Sequence, residues 1–498
     1  MKNPSLRSDI RLPLSARDDS APGLLAAVAA VCGAAVLLCA VAAANGFPLP
    51  WDDTRAYYMA GRSAVEHALS ILARLFPDPG GAPAESFPAA DPFRTVAAIR
   101  SAYYGAFLYV LNALHSFWLV ALVQGLVASY VAFVFCRVTI EDRVVPVFLA
   151  AVLALTLLTS LPWYTGQLMP DVFTGVTVLC VALLAFYRDR MTGAETAALA
   201  AILLASLTFH HVHLYLTVGL GVVALAIKLL GRRPLRDLAV TGTLLGALVA
   251  AGTAASLAVS YVGFRELSLT PQRLPILLAR VLADGPGRAY LEENCPALDY
   301  AVCDSLDGLP DGALAILWAP NGIHMEKTPE VRDRIRAEEM AIVAASIREY
   351  PLWQATASLR NWVTQLGLFG LMDIDWRGSA HVRPDDPLVV VQGTPDEEPL
   401  LWWMSTVHYV VVGLSLLAIG LCARQWIGPR GDARLRGVVA VVAAGLLLNA
   451  FLCGVLAEPM HRFGARVIWL VPLLAVPLLV RRLREAPAGG GVQRIRLE

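Results

Sequence analysis

Apolar runs close to twenty residues long recur along this chain, separated by short polar segments rich in arginine, and that pattern predicts helices that cross about 30 Å of hydrocarbon. Ten such runs stand out, near 24–44, 117–136, 144–161, 172–187, 197–209, a sixth that returns to Lys228, then 238–262, 401–422, 438–456 and 467–480. A helix satisfies its backbone hydrogen bonds within the segment, whereas barrel strands would read as short alternating segments. The expected fold is therefore an all-α polytopic membrane protein of about ten transmembrane helices, with interfacial helices and a mixed extracytoplasmic region.

Basic residues set the expected orientation. Lys2, Arg7, Arg11 and Arg17 precede the first run, and cytoplasmic segments carry the excess of Lys and Arg. The segments around Arg137/Arg143, Arg188/Arg190, Lys228 to Arg236, Arg424 to Arg436 and Arg481 to Arg484 repeat the signal. Both termini are expected in the cytoplasm of a bacterial inner membrane, with the intervening loops facing the periplasm. The run 24–44 ends without a compelling small-residue cleavage site, so it is expected to be a retained span, the alternative being a removed signal peptide. The domain order that follows is a tail at 1–23, a membrane module at 24–262 with a first outer loop at 47–115, an extracytoplasmic region at 263–399, a second membrane module at 400–484 and a tail at 485–498.

Within the first outer loop, two Tyr-rich amphipathic stretches flank the Pro/Gly/Ala segment 77–92 and suit helices at the membrane interface. In the larger region, TPEVRDRIRAEEMAIVAASIREY predicts a helix with Thr328 as N-cap, and PLWQATASLRNWVTQLGLFGL an interfacial helix returning to the membrane. Cys295 and Cys303 fall there, and a short disulfide between them suits an oxidising compartment, two free thiols being the alternative. The other six cysteines lie in apolar runs. Of the 498 residues 57% are hydrophobic and 16% charged, Lys+Arg equals Asp+Glu, and mean hydropathy is +0.59. An ordinary soluble globule is excluded, membrane lipids are the expected surroundings, and nothing in the charge balance points to nucleic acid.

Four polar clusters converge on one predicted membrane face. Gly46 to Arg55 (GFPLPWDDTR) delivers Asp52 and Asp53 just after the first span, followed by Tyr57 and Tyr58. A carboxylate meeting both lipid and water suits a general base that takes a proton from an acceptor while a phosphate leaves; the competing reading is an N-cap of the helix that follows. Asp171 opens the fourth span, either as its N-cap or as a second carboxylate that orients the acceptor or shares a divalent metal, Mg or Mn, with Asp53. No metal site is assignable from spacing. His210, His211 and His213 end the fifth span, where phosphate or metal contact competes with an ordinary wet helix end. Between the last two spans, Glu458, His461, Arg462 and Arg466 stand in AEPMHRFGAR. A guanidinium holds two phosphate oxygens at once, and the competing readings are snorkelling or a Glu458–Arg462 pair.

An acidic pair directly after the first span, Tyr-rich interfacial helices behind it, a second acid in the next outer loop and an Glu-Pro-x-x-Arg-Phe run before the last span together resemble the GT-C glycosyltransferases, polytopic enzymes that move a sugar from a polyprenyl-phosphate donor on the outer face. The resemblance implies a catalytic base at Asp53 or Asp52 and a donor phosphate near Arg462, with Arg466 and His461 beside it. Phe463 stands where Tyr is usual, and no motif in 264–399 matches a subfamily. Two other classes compete: a transporter or flippase of lipid-linked saccharides, and a non-catalytic partner in envelope assembly. A transporter would break its spans with polar or Gly/Pro segments at mid-membrane; here ionisable residues collect at span ends.

Overall fold

The apolar runs fold as helices, and strands contribute only one short hairpin. A computed structural model of the chain describes residues 23–75 and 100–485, apart from 141, 272, 296, 384, 385, 387, 394–397, 429 and 430. The basic tail at 1–22, the whole 77–92 linker and the C-terminal tail lie outside the described residues. Among these, seven helices are long and apolar enough to span a bilayer: Leu24–Asn45, Phe117–Thr139, Val212–Leu230, Leu235–Phe264, Pro399–Leu421, Ala433–Val455 and His461–Arg484. The protein is a multi-pass, all-α membrane protein. The runs expected at 144–161, 172–187 and 197–209 form shorter helices, Val144–Leu158, Val172–Phe186 and Gly193–Phe209. Val172–Phe186 is buried along its whole length, which its unbroken apolar character, without a polar face, anticipates.

The helix Thr54–Leu75 packs against Ala102–Leu114 with no room for a side chain at the crossing. A Cβ on Gly61 would strike the backbone of Gly105, and the reverse substitution meets Tyr57 and Gly61. The second of these helices was expected at the interface, but Tyr104 and Leu108 are fully buried, with Tyr104 edge-on to Tyr57 at 5.1 Å and to Phe209 at 5.4 Å.

Loops gather into two sets. At one end Arg137 pairs with Glu195, Arg434 with Asp189, Arg481 with Asp432 and Arg484 with Asp142. At the other end Leu49 bridges to Gln167, Asn45 holds the backbone of 377–378 and Ser101 reaches Thr208.

Residues 276–350 build a small helical unit with its own core, in which Leu278, Leu291, Val302, Ile316, Ile323, Ile335 and Ile342 are fully buried. Cys295 and Cys303 are disulfide-bonded within it. The helix Pro329–Glu349 begins with Thr328 at its N-cap and Pro329 in its first turn. Pro351–Gly367 follows and seats Trp362 on Ala433–Val455, its indole donating to Leu447 O at 3.0 Å. Leu352, Leu359 and Val363 on this helix are exposed, which leaves it an open apolar face. Ser379–His381 and Val389–Val391 pair antiparallel, so the region is helical apart from this hairpin.

Candidate functional site

Gly46, at φ +82°, ends the first span in a left-handed cap, a conformation that costs glycine little. The chain then runs extended through two prolines, and Leu49 exchanges hydrogen bonds with Gly166 O (2.9 Å) and Leu168 N (2.8 Å). Thr54 closes the segment: its Oγ1 accepts from Trp51 N at 2.8 Å and donates to Leu168 O at 3.3 Å. Trp51, Asp52 and Asp53 are thereby fixed against the turn that leads to Asp171.

Asp171 is 2% exposed, and no capping hydrogen bond from its side chain forms. Its carboxylate instead takes Arg462 Nη2 at 2.8 Å and Nε at 3.4 Å, and Arg466 Nη1 at 3.0 Å. Burial opposes its charge, but the two guanidiniums outweigh burial and hold the carboxyl well below the ordinary carboxylate range. Arg466 is further tied to Asn449 Oδ1 (3.0 and 3.3 Å) and Cys453 Sγ (3.1 Å). The π-helical turn Phe451–Val455 that ends this helix lies beside them, a distortion often found at functional sites. Arg462 lies with its guanidinium carbon 4.5 Å from the Trp51 ring centroid, and its Nη1 has no hydrogen-bond acceptor among the described residues. The first-loop acids and this late arginine thus meet in one place, although more than 400 residues of chain separate them.

The two adjacent acids have different surroundings. Asp53 forms an ion pair with Arg100. Asp52 is exposed, accepts from Gln392 Nε2 and lines an open pocket with Arg55, Asp386, Val389, Val390 and Gln392. Partial burial and the Asp53 charge raise its carboxyl, while Arg462 opposes them. Asp375, which the sequence reading did not single out, is 8% exposed. Burial and then the Asp52 charge push its carboxyl up to about 7 against the pull of Arg462. Asp373 on the same loop accepts Arg462 N at 2.8 Å.

The remaining expected residues sit apart from this cluster or are already engaged. Tyr57 and Tyr58 are buried, the latter packed on Tyr109 and Phe117. His213 is satisfied inside the bundle: Nδ1 donates to Ser206 O at 2.7 Å, which leaves Nε2 to accept from Thr174 Oγ1 at 3.0 Å. His210 accepts from Val212 N at 3.2 Å, and burial, followed by His213, keeps its ring well below the usual range. His211 lines a cleft with Tyr103, Ser260 and Arg100, the residue that pairs with Asp53. His461 Nδ1 accepts from Gly370 N at 3.0 Å. Glu458 accepts from Leu314 N at 2.6 Å, at the start of the helix Ala313–Trp318, so Arg462 pairs with Asp171 and not with Glu458.

The donor set does not favour a cation shared by Asp53 and Asp171. Both Asp171 oxygens are taken by arginines, Asp53 pairs with Arg100, and among the described residues no group of three or more His, Cys, Asp or Glu side chains is arranged to hold a metal. Comparison of the chain with protein-family models, with curated proteins and with solved structures gave no match.

Proposed function

We propose that the protein is a membrane glycosyltransferase that moves a sugar from a polyprenyl-phosphate-linked donor to a lipid, glycan or protein acceptor. In this reading the three shorter apolar helices complete ten spans with both termini cytoplasmic, and the site lies at the periplasmic face of a bacterial inner membrane. The observation that carries the proposal is the meeting of Asp52 and Asp53 with Arg462 over the Trp51 ring.

The chemistry such a site supports is a single displacement. An acceptor hydroxyl or amine attacks the anomeric carbon, its proton passes to a first-loop carboxylate, and the bond from that carbon to the phosphate oxygen breaks. The departing electron pair stays on the phosphate, and the sugar inverts. A positioned base of this kind is worth roughly 10²–10⁴-fold. Asp171 holds Arg462 in a two-point grip and Trp51 supports its face, so the free Nη1 edge is preorganised for the charge that develops on the leaving phosphate. Asp171 itself, buried and doubly paired, serves as the anchor of that arginine and not as a base. The site charges lie at span ends and not mid-membrane, which weighs against passage of a saccharide through the bundle.

The test is transfer from a panel of polyprenyl-phosphate sugars by the purified full chain. Arg462→Lys keeps the charge and loses the planar fork. On this proposal it lowers turnover by about 10²-fold or more. Unchanged turnover would remove the arginine from the mechanism.

A further inference from the structure

We infer that Gln365 is the positioning residue for Arg462: its carboxamide grips the backbone of Met460, where the last span begins, and so fixes where the Arg462 guanidinium stands.

The helix Pro351–Gly367 that carries Gln365 has its polarity reversed. Its buried positions are Gln354, Ala357, Asn361 and Gln365, one stripe at helical spacing, while Leu352, Leu359 and Val363 face outward. Carboxamides are costly to bury unless they are used to hold something. Gln354 Nε2 donates to Asp284 Oδ2 at 2.8 Å and Asn361 Nδ2 to Asp284 Oδ1 at 2.9 Å. Gln365 instead meets both polar groups of one backbone residue: Oε1 accepts from Met460 N at 2.9 Å and Nε2 donates to Met460 O at 2.8 Å. A carboxamide offers a donor and an acceptor side by side, which neither a carboxylate nor an apolar side chain of the same size does.

Two glycines let the elements come this close. A Cβ on Gly454, in the π-helical turn, would sit 2.7 Å from Gln365 Cβ and 2.9 Å from Asn361 O, and one on Gly464 would strike Leu368 O. Met460 is the N-cap of the helix His461–Ile468 and makes no capping bond with its own side chain. Arg462 lies in the first turn, where backbone N–H groups have no partner within the helix, and its N–H goes to Asp373 Oδ2 at 2.8 Å. The backbone is thus held on both sides of His461, and the Arg462 side chain leaves this fixed point to reach Asp171 and Trp51. The hold extends back to the 276–350 unit. Asp284 also takes Arg280 Nη2 at 2.7 Å, and Arg280 Nη1 donates to Ala457 O at 3.2 Å, so one buried carboxylate joins the helix that grips to the segment that is gripped.

The effect on turnover rests on the transferase reading, whereas the grip belongs to the resting protein. The first measurement is therefore hydrogen–deuterium exchange of the full chain in phospholipid nanodiscs without substrate. Wild type is compared with Gln365→Leu and with Gln365→Glu, which keeps the side chain's shape and removes the N–H that meets Met460 O. Both variants are expected to speed exchange in 457–463 by about tenfold or more and to leave 212–230 unchanged. The second measurement is a double-variant cycle on turnover at equal folded concentration. Gln365→Leu is expected to lower kcat by about tenfold or more, with KM for the sugar donor within about twofold, and to cost nothing further in an Arg462→Lys background, because it acts through that arginine. If Gln365→Leu does not fold, Gln365→Glu carries both measurements. Unchanged exchange in 457–463, or a Gln365 loss that multiplies in full with Arg462→Lys, overturns the inference. If exchange rises as stated while no polyprenyl-phosphate sugar is turned over, the grip stands and the transferase reading falls.

Discussion

The two ends of the helical bundle treat charge in opposite ways. At the Arg137/Arg481 end, acids and bases pair in small groups, most of them partly exposed: Arg137–Glu195 at 2.6 Å, Arg481–Asp432 at 3.0 Å, Arg484–Asp142 at 3.4 Å, and Asp237 with both Lys228 at 2.9 Å and Arg188 at 3.5 Å. The segments there are short and capped, as where Thr192 and Glu195 form a reciprocal capping box and Asp432 accepts from Arg434 and Leu435 backbone N–H groups. At the other end one carboxylate, Asp171, holds two buried guanidiniums, and two further carboxyls, Asp52 and Asp375, form no ion pair among the described residues. Exposed pairs settle a helix end at little cost or gain. Buried charge kept incompletely paired costs stability, and proteins retain it where chemistry needs it.

The largest expected effect comes from removing the anchor of the second arrangement. Asp171→Asn leaves Arg462 and Arg466 buried without a counter-ion, which should destabilise the protein by ~3–5 kcal/mol. The measurement is the surviving folded monomer after heating in detergent, read by size exclusion. Retention at the wild-type temperature would mean that the two guanidiniums do not depend on Asp171.

Next in size is a pH dependence whose sign separates the carboxyls. Asp375 holds its proton more tightly folded than unfolded, so its contribution is complete below pH 3.8 and is lost as pH rises through about 7. Thermal stability should therefore fall by ~2–4 kcal/mol across that window, and Asp375→Asn should remove the decline. Asp171 has the opposite sign: its contribution is complete above 3.8 and is lost only in more acidic solution. A wild-type curve that is flat between pH 4 and 7 would contradict the burial of an unpartnered Asp375.

The smallest effect belongs to the other end. Arg434→Ala breaks an exposed pair with Asp189 and should cost ~0–1 kcal/mol. A loss as large as that of Asp171→Asn would erase the contrast between the ends.

How much of this was legible in the sequence follows from the range of each interaction. Period and charge are local, so the apolar runs and most of their boundaries could be read directly. So could the grouping of Asp52, Asp53, Asp171 and Arg462, because each stands at the end of an apolar run. Asp375 could not, since it lies in a loop without a motif and enters the site through contacts spanning 333 positions, as between Asn45 and Gly378. Glu458 and His461 show the converse limit. Their spacing suggested phosphate or Arg462 as partners, but the spacing carries no record of the 276–350 unit and the 367–370 turn, which claim them through Leu314 and Gly370. His213 looked free because its acceptor and donor, Ser206 and Thr174, come from two other helices.

The central claim is that the end bearing Asp52 and Arg462 performs sugar transfer. Its most direct test is turnover of polyprenyl-phosphate sugars by the purified full chain, comparing Asp52→Asn with Arg434→Ala at equal folded concentration. The account predicts a fall of about 100-fold or more for Asp52→Asn and activity within about twofold of wild type for Arg434→Ala. Full activity in Asp52→Asn, or an equal loss in both variants, would contradict it.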